Sequence, residues 1–219
     1  MDMSDILFLK PEAKLNNLQE IQFMNIFYDV YEVKFRNKIS KEQNYIKKIL
    51  HLAIELNMIP LKDRICAVDK KGELIGFILI SRFKSMDIGN FLKFALKLFT
   101  FTRPSKAMSI IMVFLEFRRM NRRGKKNCIA GIPLIAVEKE LRGKGIGTAL
   151  IDAGVSYVKE ILPNENKKNR ISLIVYKDNP AVRLYQRLGF EITEIFNTME
   201  ISKIIGHRFN THLMMSKTL

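Results

Sequence analysis

The stretch LIAVEKELRGKGIGTALIDAGVSYVKE, residues 134–160, decides how this chain folds and where its chemistry sits. Its first residues complete an apolar run over 132–137, broken by Pro133, that reads as a strand. A charged turn, 138–142, leads into the glycine-rich segment Arg142-Gly143-Lys144-Gly145-Ile146-Gly147-Thr148. Beyond it the apolar residues take helical spacing at Ile146, Leu150, Ile151, Val155 and Val158. A strand, a glycine loop and a helix in that order put backbone N–H groups at a helix N-terminus. Three glycines let that backbone come close to a ligand, and the helix dipole favours an anion there. Arg142 and Lys144 add full positive charge, so the segment reads as a polyphosphate cradle. It is not the G-x-x-x-x-G-K-[ST] loop, because no Lys-Ser/Thr pair follows the last glycine. Nor is it G-x-G-x-x-G, because position 150 is Leu150. A glycine-eased turn with solvated basic residues would look the same locally, so the rest of the chain has to discriminate.

Composition narrows the classes. The 219 residues suit one medium domain, and 47% apolar content is ample for a core and far from a disordered profile. The N-terminus, MDMSDILF, is acidic where a secretory signal needs a basic region, and no run approaches 18 uncharged apolar residues. Cys66 and Cys128 form neither a metal pattern nor a disulfide framework, and they read as reduced, buried thiols. A cytoplasmic protein without a metal is expected. The net charge of +15 suits an anionic partner, although lysines are spread along the whole chain. The one dense basic cluster is Arg118-Arg119, Arg122-Arg123 and Lys125-Lys126.

Read in order, residues 6–9 suit a short strand and 15–35 an amphipathic helix with Leu18, Ile21, Phe23, Met24, Phe27, Tyr28, Tyr31 and Phe35 recurring at three and four. Ser40 suits the cap of a second helix over 41–57, closed by Asn57 and Pro60. Residues 64–68 and 74–81 read as a hairpin around Gly72, with Gly76 marking a bulge or a close backbone approach. Between 83 and 126 the pattern changes to an insertion of two apolar helices, 87–101 and 105–121, the second opened by Pro104. Its possible roles are a lid over a pocket, a dimer contact, an interfacial patch or an extension of the core. Residues 170–176 then form a strand, 181–188 a short helix closed by Gly189, and 190–195 and 212–217 two further strands.

Two separated motifs agree. Arg142-x-x-Gly145-x-Gly147 follows a strand, and further on comes Asn179-Pro180-Ala181-Val182-Arg183-Leu184-Tyr185-Gln186-Arg187-Leu188-Gly189-Phe190. Together with the order of elements they resemble the GNAT superfamily of acyl-CoA-dependent N-acyltransferases, over the whole chain apart from about 83–126. The resemblance implies an α/β fold: a mostly antiparallel central sheet with a splayed parallel strand pair and flanking helices, as a single domain over 1–219. It implies that Arg142, Gly143, Lys144, Gly145, Gly147 and Thr148 hold the pyrophosphate of acetyl-CoA or another short acyl-CoA. The pantetheine arm would bond backbone groups at Ile135 and Val137, and Asn179, which is also a suitable helix cap. Tyr185 matches the tyrosine that protonates the departing thiolate, a donor the chemistry requires because sulfur gains charge as it leaves. On residue type alone, Tyr185 could equally be a helix residue packed on Phe190.

One feature departs from the family pattern. Many members carry a glutamate inside the strand before the glycine loop, whereas residues 129–137 contain no acidic side chain. Glu138 follows in the turn, where it is expected to face solvent. Glu116, His51, His207 and His212 are the other candidates for a base. The implied function is acetyl transfer to an amine by direct attack in a ternary complex, with the insertion selecting an apolar or amphipathic amine, and a variant reading makes the acceptor an amphipathic or membrane-associated amine. A non-catalytic CoA-binding regulatory module is the alternative. A homodimer and peripheral contact of 118–126 with an anionic membrane are further candidates, and nucleic-acid binding ranks last because the aromatics beside the charges, Phe114 and Phe117, fit the helix core better than a stacking platform.

Overall fold

The computed structural model of the chain describes residues 3–35, 43–59, 61–83, 87–161, 169–198 and 211–219. Its strands are β1 (Leu7–Leu9), β2 (Arg64–Val68), β3 (Leu74–Ser81), β4 (Ala130–Val137), β5 (Arg170–Tyr176), β6 (Glu191–Asn197) and β7 (Thr211–Thr218). They form one sheet in the order β1-β2-β3-β4-β5-β7-β6. Every neighbouring pair is antiparallel except β4 and β5. The helices are α1 (Asn17–Phe35), α2 (Gln43–Glu55), α3 (Ile88–Phe101), α4 (Pro104–Asn127), α5 (Ile146–Ile161) and α6 (Ala181–Arg187). This is the mixed sheet expected from the sequence. Ser40, Pro60 and His207 lie outside the described residues.

Two apolar cores sandwich the sheet. On one face, α1, α2, α3 and α4 bury Phe23, Phe27, Leu50, Phe94, Leu98 and Ile110 against Phe77, Leu79, Leu134 and Met214. Phe23 and Phe77 meet with ring centroids 4.5 Å apart. The helical stripe of α1 is narrower than its sequence suggests, since Leu18 and Ile21 stay exposed. On the other face, α5 buries Ile146, Leu150, Ile151, Val155 and Val158 against Ile65, Ile78 and Ile132. Each such side chain contributes about 1.5–3 kcal/mol when fully buried.

The insertion forms two helices, as its pattern predicts, and extends the first core. Ala107, Ile110, Val113 and Met120 of α4 are buried there. Phe94 is fully buried and meets Phe114 edge-on, with centroids 4.6 Å apart. Its ring is therefore a structural element and not part of a movable lid. The outer face of α3, with Ile88, Leu92, Leu96 and Phe99, is exposed. The helix over 105–121 in fact continues to Asn127 and absorbs the basic cluster. Arg123 of that cluster pairs with Glu194 and lies over the Phe196 ring.

Of the sheet's three register shifts among the described residues, which include one between β6 and β7 at Ile192 and Glu194, two adjoin the site. Between β2 and β3 the register shifts from Ala67↔Gly76 to Val68↔Leu74, the bulge that Gly76 suggests. Between β3 and β4 it shifts from Leu79↔Leu134 to Ser81↔Gly131, so Ile80 faces both Ile132 and Pro133. Gly76 also sits where a Cβ would lie 2.8 Å from the Ala136 carbonyl oxygen and 3.3 Å from Leu150 Cδ1. Backbone on one side and α5 on the other leave no room for it. Gly76→Ala is therefore expected to lower stability by about 1–3 kcal/mol, seen as a lower urea midpoint at unchanged slope.

Candidate active site

The site grows out of the second bulge. Parallel pairing of β4 with β5 covers Ala130↔Ile171, Gly131↔Ser172 and Ile132↔Leu173 and stops there. The next residue, Pro133, has no N–H to donate, and the extra residue bends the strand. Beyond this point β4 and β5 part. The Glu138 N–H donates to the Ile75 carbonyl at 2.9 Å, which fixes the phase of the ladder with β3. Backbone groups alternate in direction along an antiparallel pair, so those of Ile135 and Val137 face away from β3, into the gap. Both residues are half-buried. An unsatisfied buried backbone group costs about 1–3 kcal/mol, so this edge suits an extended ligand carrying amides.

At the mouth of the gap the chain turns through the glycine loop. Gly143 and Gly145 adopt φ of +80° and +86°, left-handed values that a side chain would strain. The Ala149 N–H bonds the Gly145 carbonyl at 3.1 Å, which starts α5 and leaves the preceding N–H groups without helical partners. A Cβ built at Gly143 or at Gly147 meets nothing within 4 Å. The loop is thus open on its outer side, as a cradle must be. Arg142, Gly143, Lys144 and Gly145 are exposed, and Gly147 and Thr148 half-buried. Arg142 Nε donates to the Val137 carbonyl at 3.2 Å, tying the loop to the gap.

The opposite wall comes from the end of β5 and from α6. Asn179 caps α6 one residue early, its Oδ1 accepting from the Ala181 N–H at 2.9 Å. Its N–H donates to the Tyr176 carbonyl at 3.0 Å, holding it beside the strand end. Tyr185 is half-buried against the α5 core, edge-on to Phe190 at 6.1 Å between centroids. Burial pushes its phenol above the ordinary tyrosine value, so it stays protonated through the neutral range. The two readings of Tyr185 from sequence, packing on Phe190 and proton donation, are therefore compatible.

Among the candidate bases, Glu138 is exposed. Partial desolvation and the neighbouring Glu140, Glu73 and Asp69 carboxylates raise its pKa. His51 is exposed on α2, in a groove with Tyr28, Lys48 and Phe101 that the fork does not share. His212 is buried on β7, its Nδ1 3.0 Å from Thr198 Oγ1 and its ring 4.3 Å from that of Tyr176. Glu116 is buried on α4. The two distant motifs follow the ends of β4 and β5, the strands that part after Ile132↔Leu173. What sequence reasoning missed is the bulge that opens the fork, whose only trace in the sequence is Pro133.

The model of the acetyltransferase (GNAT) family matches residues 24–190. The chain belongs to the GNAT acetyltransferase family. An uncharacterized N-acetyltransferase of Methanocaldococcus jannaschii is 38% identical over 72 residues, which is 32% of this chain and 30% of that protein. The chain thus matches less than a third of the length of that curated relative. A GCN5-related N-acetyltransferase from Kribbella flavida has the same fold at a TM-score of 0.58, with 15% identity and 100% of both chains covered. A mosquito arylalkylamine N-acetyltransferase-like protein has it at 0.59, with 16% identity, covering 98% of this chain and all of that one.

The two cysteines lie on β2 and between α4 and β4. Cys66 and Cys128 are buried, and burial pushes Cys66 from 9.0 up to about 12. Because its folded value is the higher one, the stabilising contribution is complete below about 9 and is lost as pH rises through about 12. Native protein at pH 8 is expected to react with neither thiol on a disulfide reagent, and with both after guanidinium. Its alkaline unfolding should begin above pH 9 and be delayed in Cys66→Ala.

Proposed function

We propose that the chain is an N-acetyltransferase that moves an acetyl group from acetyl-CoA to an amine by direct attack in a ternary complex. The observation that carries this reading is the coincidence of an unpaired strand fork with an open glycine cradle at the mouth of the same fork. Neither feature serves the fold. A pairing lost at Pro133 and two left-handed glycines weaken a sheet unless a ligand uses them.

Acetyl-CoA supplies the acyl group as an activated thioester. The N–H groups over 143–148, with Arg142 and Lys144, suit its pyrophosphate, combining a helix N-terminus with two full charges. The gap-facing backbone groups of Ile135 and the Val137 N–H suit the amides of its pantetheine arm, with Asn179 closing the other wall. The Val137 N–H faces the gap and would polarise the thioester carbonyl. Tyr185, held protonated by its burial, is the donor to the leaving sulfur.

The reading predicts separable losses. Gly147→Val should keep its melting temperature while CoA binding by calorimetry falls by about tenfold or more, since the branched side chain fills the open cradle. Tyr185→Phe should bind CoA normally yet release CoA thiol about 10²–10⁴-fold more slowly across an amine panel. CoA binding by the native chain without thiol release on any amine would instead make it a CoA-binding regulatory module.

A further inference from the structure

The strand that lines the fork, Ala130–Val137, carries no acidic side chain. An amine of ordinary basicity reaches an enzyme at neutral pH as an ammonium ion, so something on the acceptor side must take its proton before nitrogen can attack. The inserted helix α4 carries the group in position to do so.

Val113, Glu116, Met120 and Gly124 recur at spacings of three and four, and all four are buried. They form the stripe that α4 turns to the sheet. Gly124 anchors it: a Cβ there would lie 2.9 Å from the Phe83 ring and 3.0 Å from Ser172 Oγ. That places the helix against β4 and β5 where they still pair, at Gly131↔Ser172. Met120 joins the core cluster that includes Leu134 and Ala136 of β4 and Met214 of β7. Only Cys128 and Ile129 separate α4 from β4, so the helix runs back over its own following strand. Glu116 lies two turns further back than Gly124, about 12 Å along the axis. The same distance along β4 from Gly131 reaches Leu134 and Ile135, at about 3.3 Å per residue. Glu116 therefore lies over the level at which the fork is open, on the face of the sheet opposite α5.

Its surroundings are unusual for a carboxylate. Glu116 is 9% exposed, and among the described residues it accepts no hydrogen bond. Its cationic neighbour, Arg119, stands 3.9 Å away with a side chain that is 68% exposed. Arg123, seven residues on and so on the same edge of the helix, is already paired with Glu194 of β6. That pair turns this edge of α4 towards β6 and β7. A buried carboxylate without hydrogen bonds is unfavourable unless a cation comes to it.

We infer that Glu116 is the carboxylate that receives and deprotonates the acceptor, and that the acceptor is a primary amine arriving as an ammonium ion. The inference rests on the acetyltransferase reading. The ammonium proton passes to the Glu116 carboxylate, and the nitrogen lone pair forms the C–N bond to the thioester carbon. The C–S bond breaks, and sulfur takes the Tyr185 proton. The proton on Glu116 then returns through water to the Tyr185 phenolate. The products are an N-alkyl acetamide and CoA thiol, and the one proton in excess on the starting ammonium leaves to solvent.

The test compares wild type, Glu116→Gln and Glu116→Asp with two kinds of acceptor. Butylamine, phenethylamine and spermidine are charged at the assay pH, whereas trifluoroethylamine is largely neutral. Glu116→Gln is expected to lose about 100-fold in kcat/KM on the charged acceptors and less than about threefold on the neutral one, while Glu116→Asp regains about tenfold. CoA affinity and melting temperature should not move. Equal losses on both kinds of amine, or no loss on either, would overturn the role of Glu116. A wild-type chain that acetylates none of these amines would overturn the transferase reading on which the role rests.

Discussion

The structure depends on one local misfit, the extra residue in β4 at Ile132 and Pro133. It ends the parallel pairing with β5 at Ile132↔Leu173. It also exchanges the faces of the strand. Ala130 and Ile132 point into the α5 core, whereas Leu134 and Ala136 point to the α1–α4 side. A strand of strict alternation could not do this, because its side-chain period is two throughout. Without the slip, the backbone of Ile135 and Val137 would be occupied by β5, and there would be a continuous sheet and no fork.

The two faces of the sheet are then free to take different work. α5, with α6 packed at its edge, covers the face that leads to the glycine loop, and the α5 N-terminus stays accessible because a Cβ at Gly143 or Gly147 would meet nothing. Four helices cover the other face. There α4 is pressed against β4 through the Phe83 ring, which occupies the space that side chains at Gly124 and Gly131 would need. Close packing of this kind fixes the height of every residue on α4 relative to the fork. It gives a meaning to Glu116 that its sequence position does not have.

Electrostatics adds direction and little stability. Pairs such as Lys97–Glu55 and Lys10–Glu160 have both partners more than half exposed, where solvent and salt screen the attraction. The excess of +15 nonetheless favours approach of an anionic co-substrate, and the exposed Arg142 and Lys144 lie at the mouth of the fork. The dense cluster at 118–126 is divided by the helix that carries it. Arg123 turns inward to Glu194, while Arg119 and Arg122 face solvent.

Sequence alone determined the elements whose causes are local. The hairpin of β2 and β3, the helix after the glycine loop and the short helix closed by Gly189 all follow from periodicity, turn chemistry and spacing. Those are properties of neighbours along the chain. The end of α4 was not legible, because nothing between Asn121 and Asn127 stops a helix and only docking on β4 does. The exposure of Leu18 and Ile21, the strand order β5-β7-β6 and the burial of Glu116 depend equally on which surfaces meet. The tertiary structure alone decided that β4 slips by one residue against Ile80. A bulge is a relation between two strands, and Pro133 could signal only that one of them would be irregular there.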